Sequence, residues 1–563
     1  MSIEEKAQGL VNSLTQGVAV KVLRIIVFAI LVLGVFGIYR FSRFRGLREP
    51  AAMEAAQLAR RLAEGEGFRT FCIRPADLWM LRDGAITDGY PDIRQAPLYP
   101  LVLSWCFRTI RPDFESKAGT RIFEPERRVV APLGILFSAA TVGLIFLTAM
   151  SLFNRPVALA SSLIFLTTHS VLSDSISGTA LPLTALLATA AVWSAVTAVR
   201  NKKKERHPLL WLTPLLLSGL TAGLAFLTGY RMFVVVPVVA VFVGLSGGRG
   251  GWTAAAAAAL IALVVAAPWL IRNRAVSGHI LGIAPYTCLN DSVLYEDQGF
   301  DRTTTPDVRV IRTVPAMKLK IASNLGRLYD LDLRTIGSGL AICLFLVSFF
   351  VPREDRVVQA LGWCVGAGLL MLIVLCALSG SGDALRSLLP AVVICGVGFA
   401  FELVAEKTAW PDAFWQPLLT GWLVVLTAAP AMLIISGTRA SIPYPPYFPP
   451  FAEYVCGLTE PGETICTDIP WATAWYGNRR SLLLPRNTGE LLEINTNRFP
   501  LAGIYLTTAT GDKPYTRSLA DGAESSWLPL LERRVPEGFP FRQGIDIPPG
   551  SRDQLFITDK VRW

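Results

Sequence analysis

The sequence is poor in charge and in the residues that build compact metal sites. Only 17% of its 563 residues are charged, and it contains three histidines. Its nine cysteines are scattered, and no CxxC motif or Cys/His pair has the spacing of metal ligands. These shortages argue against a soluble globular protein, a zinc-binding module and a dense disulfide framework.

Long hydrophobic runs, by contrast, recur along most of the chain. Hydrophobic residues make up 52% of the sequence, and the mean hydropathy is +0.45. Runs of about 16 to 24 apolar residues are each long enough to cross a membrane as a helix. We therefore predict an all-α polytopic membrane bundle of about eleven transmembrane helices. The predicted spans are 22–38, 130–150, 157–171, 181–199, 209–227, 232–245, 253–271, 337–351, 357–378, 388–404 and 418–435.

The formal net charge of +10 does not indicate a nucleic-acid partner, because the basic residues lie in short loops between spans. The loop RNKKKERH, Arg200–His207, is predicted to be cytoplasmic. Counting spans from it places the amino terminus in the cytoplasm. The same count places two long loops, 39–129 and 272–336, outside, and loops of that length usually carry function.

The run LYPLVLSWCFRTI, residues 98–110, admits two interpretations. Its 13 residues make only about 20 Å of helix and include a proline and an arginine, which favours a helix beside the membrane. If it crossed instead, Arg40, Arg43, Arg45 and Arg48 would be cytoplasmic, as the positive-inside rule prefers. We expect the first arrangement, which keeps eleven spans.

Hydropathy falls after the last predicted span. We expect a membrane domain over residues 1–436, a proline-rich linker over 437–450 and a small soluble α/β domain outside the membrane over 451–563. Three strands are predicted, at 464–467, 481–484 and 503–507. They alternate with predicted helices at 451–458, 470–476 and 489–495.

The first external loop carries the main candidate catalytic carboxylates, Glu49 and Glu54, at the start of a predicted helix. On a helical projection Glu54 shares one polar edge with Gln57 and Arg61, beside a broad apolar face. This edge is suited to face a cavity. The alternative is a solvated edge on which Glu54 pairs with Arg61.

Arginines at the external ends of spans are candidate phosphate ligands, since a guanidinium fork matches phosphate oxygens. They are Arg231 in LTGYRMF, Arg272 in APWLIRNR and Arg386 in GDALRSLLP. The alternatives are interfacial anchoring of Arg272 and pairing of Arg386 with Asp383.

Five segments, taken in order, resemble the polyprenyl-phosphate-sugar glycosyltransferases of the GT-C superfamily, specifically bacterial members of glycosyltransferase family 39. That group includes aminoarabinose transferases and protein O-mannosyltransferases. The segments are EAAQLARRLAEGEGF (54–68), QAPLYPLVL (95–103), LAFLTGYRMFVVVP (224–237), PWLIRN (268–273) and TDIPWATAWYGNRRSLLLP (467–485).

The resemblance implies transfer of a sugar from a polyprenyl phosphate to a glycan, lipid or protein acceptor, on the external face of the bacterial inner membrane. A first-loop carboxylate is implied to act as base. The family often has Asp-Glu where this chain has Ala51-Ala52, so Glu54 is preferred and Glu49 remains the second candidate. Asp174 is the position implied for a second acid.

The remaining implied site residues contact the substrate. They are the phosphate ligands Arg272, Arg386 and Arg231, together with Gln57 and Tyr99. A single displacement at the anomeric carbon predicts inversion. Some relatives employ a divalent metal ion and others do not, and the scattered external acids here leave that open.

Other functions compete with this interpretation. A lipid flippase or transporter would place charges inside the spans, whereas this chain gathers them on one face. A non-catalytic receptor or assembly protein would hardly require so many spans as an anchor. An oligosaccharide ligase or polymerase is a further enzyme that fits the same pattern.

Overall fold

The computed structural model describes residues 18–81, 90–115, 122–308, 314–328, 339–436, 449–511, 519, 522, 524–551 and 553–563. The helices, numbered in chain order, are α1 (Val18–Arg43), α2 (Pro50–Ala63), α3 (Pro75–Met80), α4 (Leu98–Ile110), α5 (Ala131–Leu152), α6 (Arg155–Thr167), α7 (His169–Ser177), α8 (Leu181–Lys203), α9 (Pro208–Thr228), α10 (Val235–Ser246), α11 (Gly251–Ser277), α12 (Val314–Arg327), α13 (Gly339–Val347), α14 (Arg356–Ser379), α15 (Leu389–Lys407), α16 (Asp412–Ser436), α17 (Pro449–Gly457), α18 (Pro470–Tyr476), α19 (Thr488–Asn497), α20 (Thr508–Gly511) and α21 (Leu528–Leu531).

Eight of the described helices are long and apolar enough to cross a membrane, which confirms the polytopic helical bundle. They contain eight of the predicted spans and correspond to α1, α5, α8, α9, α11, α14, α15 and α16. A ninth crossing is formed if the bent pair α6 and α7 counts as one span. The pair bends by 60° because the backbone is extended at Thr168, and hydropathy alone does not reveal this break.

By length, eight or nine of the described helices can cross a membrane, compared with the eleven predicted spans. The predicted span 232–245 lies in Tyr230–Ser246, which is shorter than the eight long helices. The predicted span 337–351 contains α13, whose nine residues make only about 14 Å of helix. Residues 337 and 338 lie outside the described residues.

Two contacts identify the end of the bundle that holds the basic loop 200–207. Arg200 pairs with Asp355, just before α14. Lys202 donates to the carbonyl oxygen of Arg249 at 2.8 Å, just before α11. The segment from Tyr230 to Arg249 therefore leads from the opposite end of the bundle to this one, although its helix is short.

The opposite end of the bundle carries the long loops. Here α4 packs along α2, and Arg108 of α4 donates to the carbonyl oxygens of Leu62 and Ala63 at the end of α2. The structure thus places residues 98–110 beside the bundle, within the loop layer.

The strands are β1 (Arg69–Thr70), β2 (Cys72–Ile73), β3 (Tyr90–Pro91), β4 (Thr464–Thr467), β5 (Arg480–Leu483), β6 (Leu501–Leu506), β7 (Gln543–Ile547) and β8 (Gln554–Thr558). A six-stranded sheet has the order β2-β5-β4-β6-β8-β7. Strands β2, β5, β4 and β6 are parallel, β8 is antiparallel to β6, and β7 is antiparallel to β8. The predicted C-terminal α/β region is confirmed, with β4, β5 and β6 within two residues of their predicted bounds.

The C-terminal sheet and both long loops form one layer. Strand β2 belongs to the first loop yet pairs with β5, with Cys72 opposite Ser481. In the second loop Arg302 pairs with Glu524 at 2.5 Å and donates to the carbonyl oxygen of Leu484 at 2.9 Å. Residues assigned by sequence to a membrane domain and to a separate soluble domain therefore share one sheet. Residues 437–448 of the predicted linker lie outside the described residues.

Candidate active site

A cavity of about 660 Å³ lies where the loop layer meets the bundle. It falls in the size range of small-molecule sites. Its walls come from α2 and α4, from residues 281–288 of the second loop and from the ends of α8, α9 and α14. The charged and amide residues in its lining are Glu54, Arg94, Gln95, Arg231 and Asp383.

Glu54 enters this cavity from the second turn of α2. Pro50 at the first position of the helix has the fixed φ angle that a helix start requires. The Glu54 residue is only 7% exposed. One of its carboxylate oxygens pairs with Arg74, and the other accepts from the side-chain amide of Gln95 at 3.4 Å. Arg61, the alternative partner, instead pairs with Glu66 and Glu64.

A buried ionic network continues from Glu54. Arg74 also lies 3.7 Å from Asp301, and Arg94 lies 2.9 Å from both Asp301 and Asp77. Three carboxylates and two guanidinium groups give the network a net charge of −1. The network joins the two long loops, because Asp301 belongs to the second loop and its arginine partners belong to the first.

The carboxylates keep both arginines of the network charged. Burial lowers the pKa of Arg94, but Asp301 and Asp77 raise it more, so that the pKa lies above its ordinary value. Burial also lowers the pKa of Arg74, but the surrounding acidic groups, of which Glu54 acts most strongly, together outweigh burial and raise the pKa well above its ordinary value. The two guanidinium groups are therefore permanent positive charges beside the cavity.

Tyr230 connects the rim of the cavity to the bundle. Its hydroxyl oxygen accepts from the indole of Trp269 at 2.8 Å and from the amide of Asn273 at 3.1 Å. The same hydroxyl donates to the carbonyl oxygen of Gln95 at 3.2 Å. Tyr230 thus fixes the backbone of Gln95, whose side chain contacts Glu54.

Arg231 and Tyr99, two of the sequence-predicted substrate contacts, also line the cavity. The guanidinium Nη1 of Arg231 donates to the carbonyl oxygen of Ser381 at 2.8 Å. Tyr99 donates its hydroxyl to the carbonyl oxygen of Gly178 at 2.8 Å, so its ring rather than its hydroxyl is available to a ligand.

A second ionic cluster, adjacent to the cavity, contains Asp174 and Arg386. Arg386 lies 2.6 Å from Asp174 and 3.3 Å from Asp383. Glu49, at the N-cap position of α2, interacts electrostatically with Asp383 and Arg386. Its pKa is raised by partial desolvation and, secondly, by Asp383, against the opposing effect of Arg386. The structure therefore gathers Glu49, Asp174 and Arg386 apart from Glu54.

Gln57 and Arg272 do not line the cavity. The amide of Gln57 donates to the hydroxyl of Thr70 at 2.7 Å and accepts from the backbone amide of Phe71 at 3.1 Å. Arg272 donates to the carbonyl oxygens of Asp92 and Phe68 and stacks over the ring of Trp269. Both residues hold the first loop in place.

The sequence reasoning did not select Arg94, Gln95 or Tyr230 as site residues. Gln95 lies in the segment QAPLYP and Tyr230 in LTGYRMF. Their position within these segments is the sequence feature that could have identified them as site residues. Arg94 and its partner Asp301 are 207 positions apart, and nothing local indicates their pairing. Among the described residues, no group of three or more His, Cys, Asp or Glu side chains is placed to hold a metal ion.

Comparison with known proteins gives matches in family pattern and in fold. Residues 112–271 match the family model described as dolichyl-phosphate-mannose-protein mannosyltransferase. No curated protein matches the chain.

Two solved structures illustrate the likeness in fold. ArnT from Cupriavidus metallidurans, bound to undecaprenyl phosphate, is 11% identical at a TM-score of 0.54, with 95% of this chain and 98% of that chain covered. The oligosaccharyltransferase of Archaeoglobus fulgidus, in the apo form, is 12% identical at a TM-score of 0.56, with 92% of this chain and 73% of that chain covered. The resemblance to GT-C glycosyltransferases is therefore confirmed, in fold over nearly the whole chain and in family pattern over residues 112–271.

Proposed function

We propose that this chain is an integral-membrane glycosyltransferase that transfers a sugar from a polyprenyl phosphate to an acceptor at the loop-bearing end of the bundle. The observation that carries the proposal is the shared cavity of Glu54 and Arg231, a carboxylate and a guanidinium, at the junction of loops and spans. The structures of ArnT bound to undecaprenyl phosphate and of the Archaeoglobus fulgidus oligosaccharyltransferase in complex with a dolichol phosphate support the same class of donor.

The chemistry needs few groups. Glu54 accepts the proton of the acceptor hydroxyl as that hydroxyl attacks the anomeric carbon. The bond from that carbon to the phosphate oxygen breaks, and the lipid phosphate leaves with its electron pair. Arg231 stabilises the phosphate charge, and a phosphate leaves without a general acid. One displacement inverts the anomeric centre.

The apolar part of the cavity suits the prenyl chain. Its lining includes Leu181, Met232, Phe233, Leu375 and Leu378, all near the ends of spans. A prenyl chain lying against these side chains would extend into the bilayer while its phosphate stays near Arg231. The bilayer, the lipid-linked sugar and an acceptor are thus the proposed partners.

Glu54 is the proposed base, and Glu49 is the second candidate. Glu54 lines the cavity, and its second oxygen accepts from Gln95 at the long distance of 3.4 Å, a contact that an acceptor hydroxyl can replace. Glu49 faces the Arg386 cluster. Asp174 is engaged by Arg386, which supports a role for this pair beside the donor rather than in proton transfer.

The orientation follows from charge. The cavity lies at the end of the bundle opposite the basic loop 200–207, so the positive-inside rule places the cavity outside and the amino terminus inside. The proposed location is therefore the bacterial inner membrane, with the C-terminal sheet on the external side.

The test uses the purified full chain in phospholipid nanodiscs, with radiolabelled polyprenyl-phosphate monosaccharides, a lipid-linked oligosaccharide and a membrane acceptor extract. We expect transfer from a monosaccharide donor, and a large loss of transfer in Arg231→Ala. Arg128→Ala is the matched control, because the Arg128 side chain is 56% exposed. Parallel reactions with a chelator show whether a divalent metal is required.

Other outcomes would overturn the proposal. Transfer of the oligosaccharide alone would assign the chain to the oligosaccharide ligases. Absence of transfer from every donor, with movement of lipid across vesicles, would favour a flippase.

A further inference from the structure

Glu126 lies at the meeting point of the bundle, the first loop and the C-terminal sheet layer. It opens the π-helical turn Glu126–Val130 that leads into α5, and it is only 1% exposed. Buried carboxylates are costly unless both oxygens are satisfied. Here both oxygens have donors, and the donors come from two separate parts of the chain.

The first donor belongs to the C-terminal layer. The indole Nε1 of Trp475, in α18, donates to Glu126 Oε1 at 2.8 Å. Trp475 is fully buried and packs in one cluster with Ala52, Ala55 and Ala59 of α2. Its helix, α18, packs against α2, the helix that carries Glu54.

The second donor belongs to the first loop. The backbone amide of Leu47 donates to Glu126 Oε2 at 3.0 Å. Gly46 has a φ of +104°, and a Cβ there would lie 3.0 Å from the same oxygen. Glycine allows the chain to run this close to the carboxylate. Three residues after Leu47, α2 begins at Pro50.

We propose that Glu126 is a positioning residue that fixes the start of α2 and couples the C-terminal layer to the cavity. Because α2 is a continuous helix from Pro50 to Ala63, a displacement of Leu47 moves Glu54 with it. The inference rests on the proposed function, in which Glu54 is the base. It assigns the C-terminal layer a role in catalysis through Trp475 and Glu126.

The expected kinetic signature separates positioning from simple stability. Glu126→Gln keeps the shape of the side chain but replaces one acceptor oxygen with an NH2 group. Trp475→Phe removes the indole donor to Glu126 Oε1 and reduces the size of the ring. Each variant is expected to lower kcat about tenfold or more while KM for the lipid donor stays within about twofold, since misplacement of a catalytic group mainly slows the chemical step.

The double variant tests the coupling. If Trp475 acts through Glu126, the double variant is no slower than Glu126→Gln alone, because contacts in one network are not additive. The matched control is Glu124→Gln, two residues away, whose carboxylate lies 3.0 Å from the largely exposed Arg128. That control is expected to leave kcat unchanged.

An activity-independent measurement completes the experiment. Hydrogen exchange of the α2 amides is expected to accelerate in Glu126→Gln and Trp475→Phe but not in Glu124→Gln. Unchanged kcat and unchanged exchange in Glu126→Gln would overturn the inference, as would equal effects of the control. A wild type that transfers no sugar would instead overturn the proposed function, and exchange would still decide whether Glu126 positions α2.

Discussion

Replacement of Arg94 by methionine tests the buried network at the rim of the cavity. Methionine keeps much of the side-chain volume and removes the charge. Asp77 and Asp301 would each lose a partner at 2.9 Å, and their side chains are only 11% and 9% exposed. Removal of one partner from a buried ion pair destabilises proteins by about 3–5 kcal/mol, because it leaves a carboxylate buried without compensation.

The matched control is Arg533→Met. Arg533 lies 2.8 Å from Asp546, but its side chain is 32% exposed, and such pairs contribute about 1 kcal/mol or less. The assay follows unfolding by tryptophan fluorescence in mixed detergent micelles. Arg94→Met is expected to lose several times more stability than Arg533→Met, and equal losses would refute the reasoning.

The double variant Arg94→Met/Asp77→Asn identifies the cause of the loss. If stranded charge is responsible, removal of the Asp77 charge restores part of the stability, whereas a packing defect would remain. Arg94 itself adds no pH dependence to stability near neutrality. Because the pKa of Arg94 is raised, its stabilisation is fully present below the ordinary arginine pKa and is lost only as pH rises through the raised value.

Two further predictions concern backbone fit and orientation. Gly178→Ala is expected to destabilise the protein by about 1–3 kcal/mol in the same unfolding assay. The φ angle of Gly178 is +77°, and the new Cβ would overlap Leu47 and lie 2.9 Å from Val130. Gly143→Ala is the control, because the space around Gly143 is open, and it should have little effect. In a background with the native cysteines replaced, Glu460→Cys is expected to react with an impermeant maleimide in intact cells and Lys204→Cys only after permeabilisation. The reverse pattern would contradict the proposed orientation.

The sequence predicted those parts of the fold whose signals are local. Hydrophobic length identified the eight long helices, and the alternation of strands and helices identified β4, β5 and β6. It did not predict β2, because a two-residue strand has no periodicity of its own and pairs with β5 about 400 positions later. The break at Thr168 was equally invisible, since both halves of the bent pair are apolar.

The candidate site was predictable in residue type but not in pairing. The acids and arginines of the first loop are evident in the sequence, and three selected residues, Glu54, Tyr99 and Arg231, line one cavity. The partner of each charge depends on long-range packing. Arg74 rather than Arg61 pairs with Glu54, and Asp301 reaches both Arg74 and Arg94 from the second loop.

Glu54 is central to the proposed function, and one comparison of initial rates tests its role directly. Sugar transfer from a saturating polyprenyl-phosphate donor is measured for the wild type, Glu54→Gln, Glu49→Gln and Glu64→Gln. Glu64 caps the far end of the same helix and pairs with Arg60 at 3.0 Å, outside the cavity, so it controls for loss of a carboxylate. We expect a loss of about 100-fold or more in Glu54→Gln, a small effect in Glu49→Gln and wild-type rates in Glu64→Gln. Full activity in Glu54→Gln would contradict the assignment of Glu54 as the base.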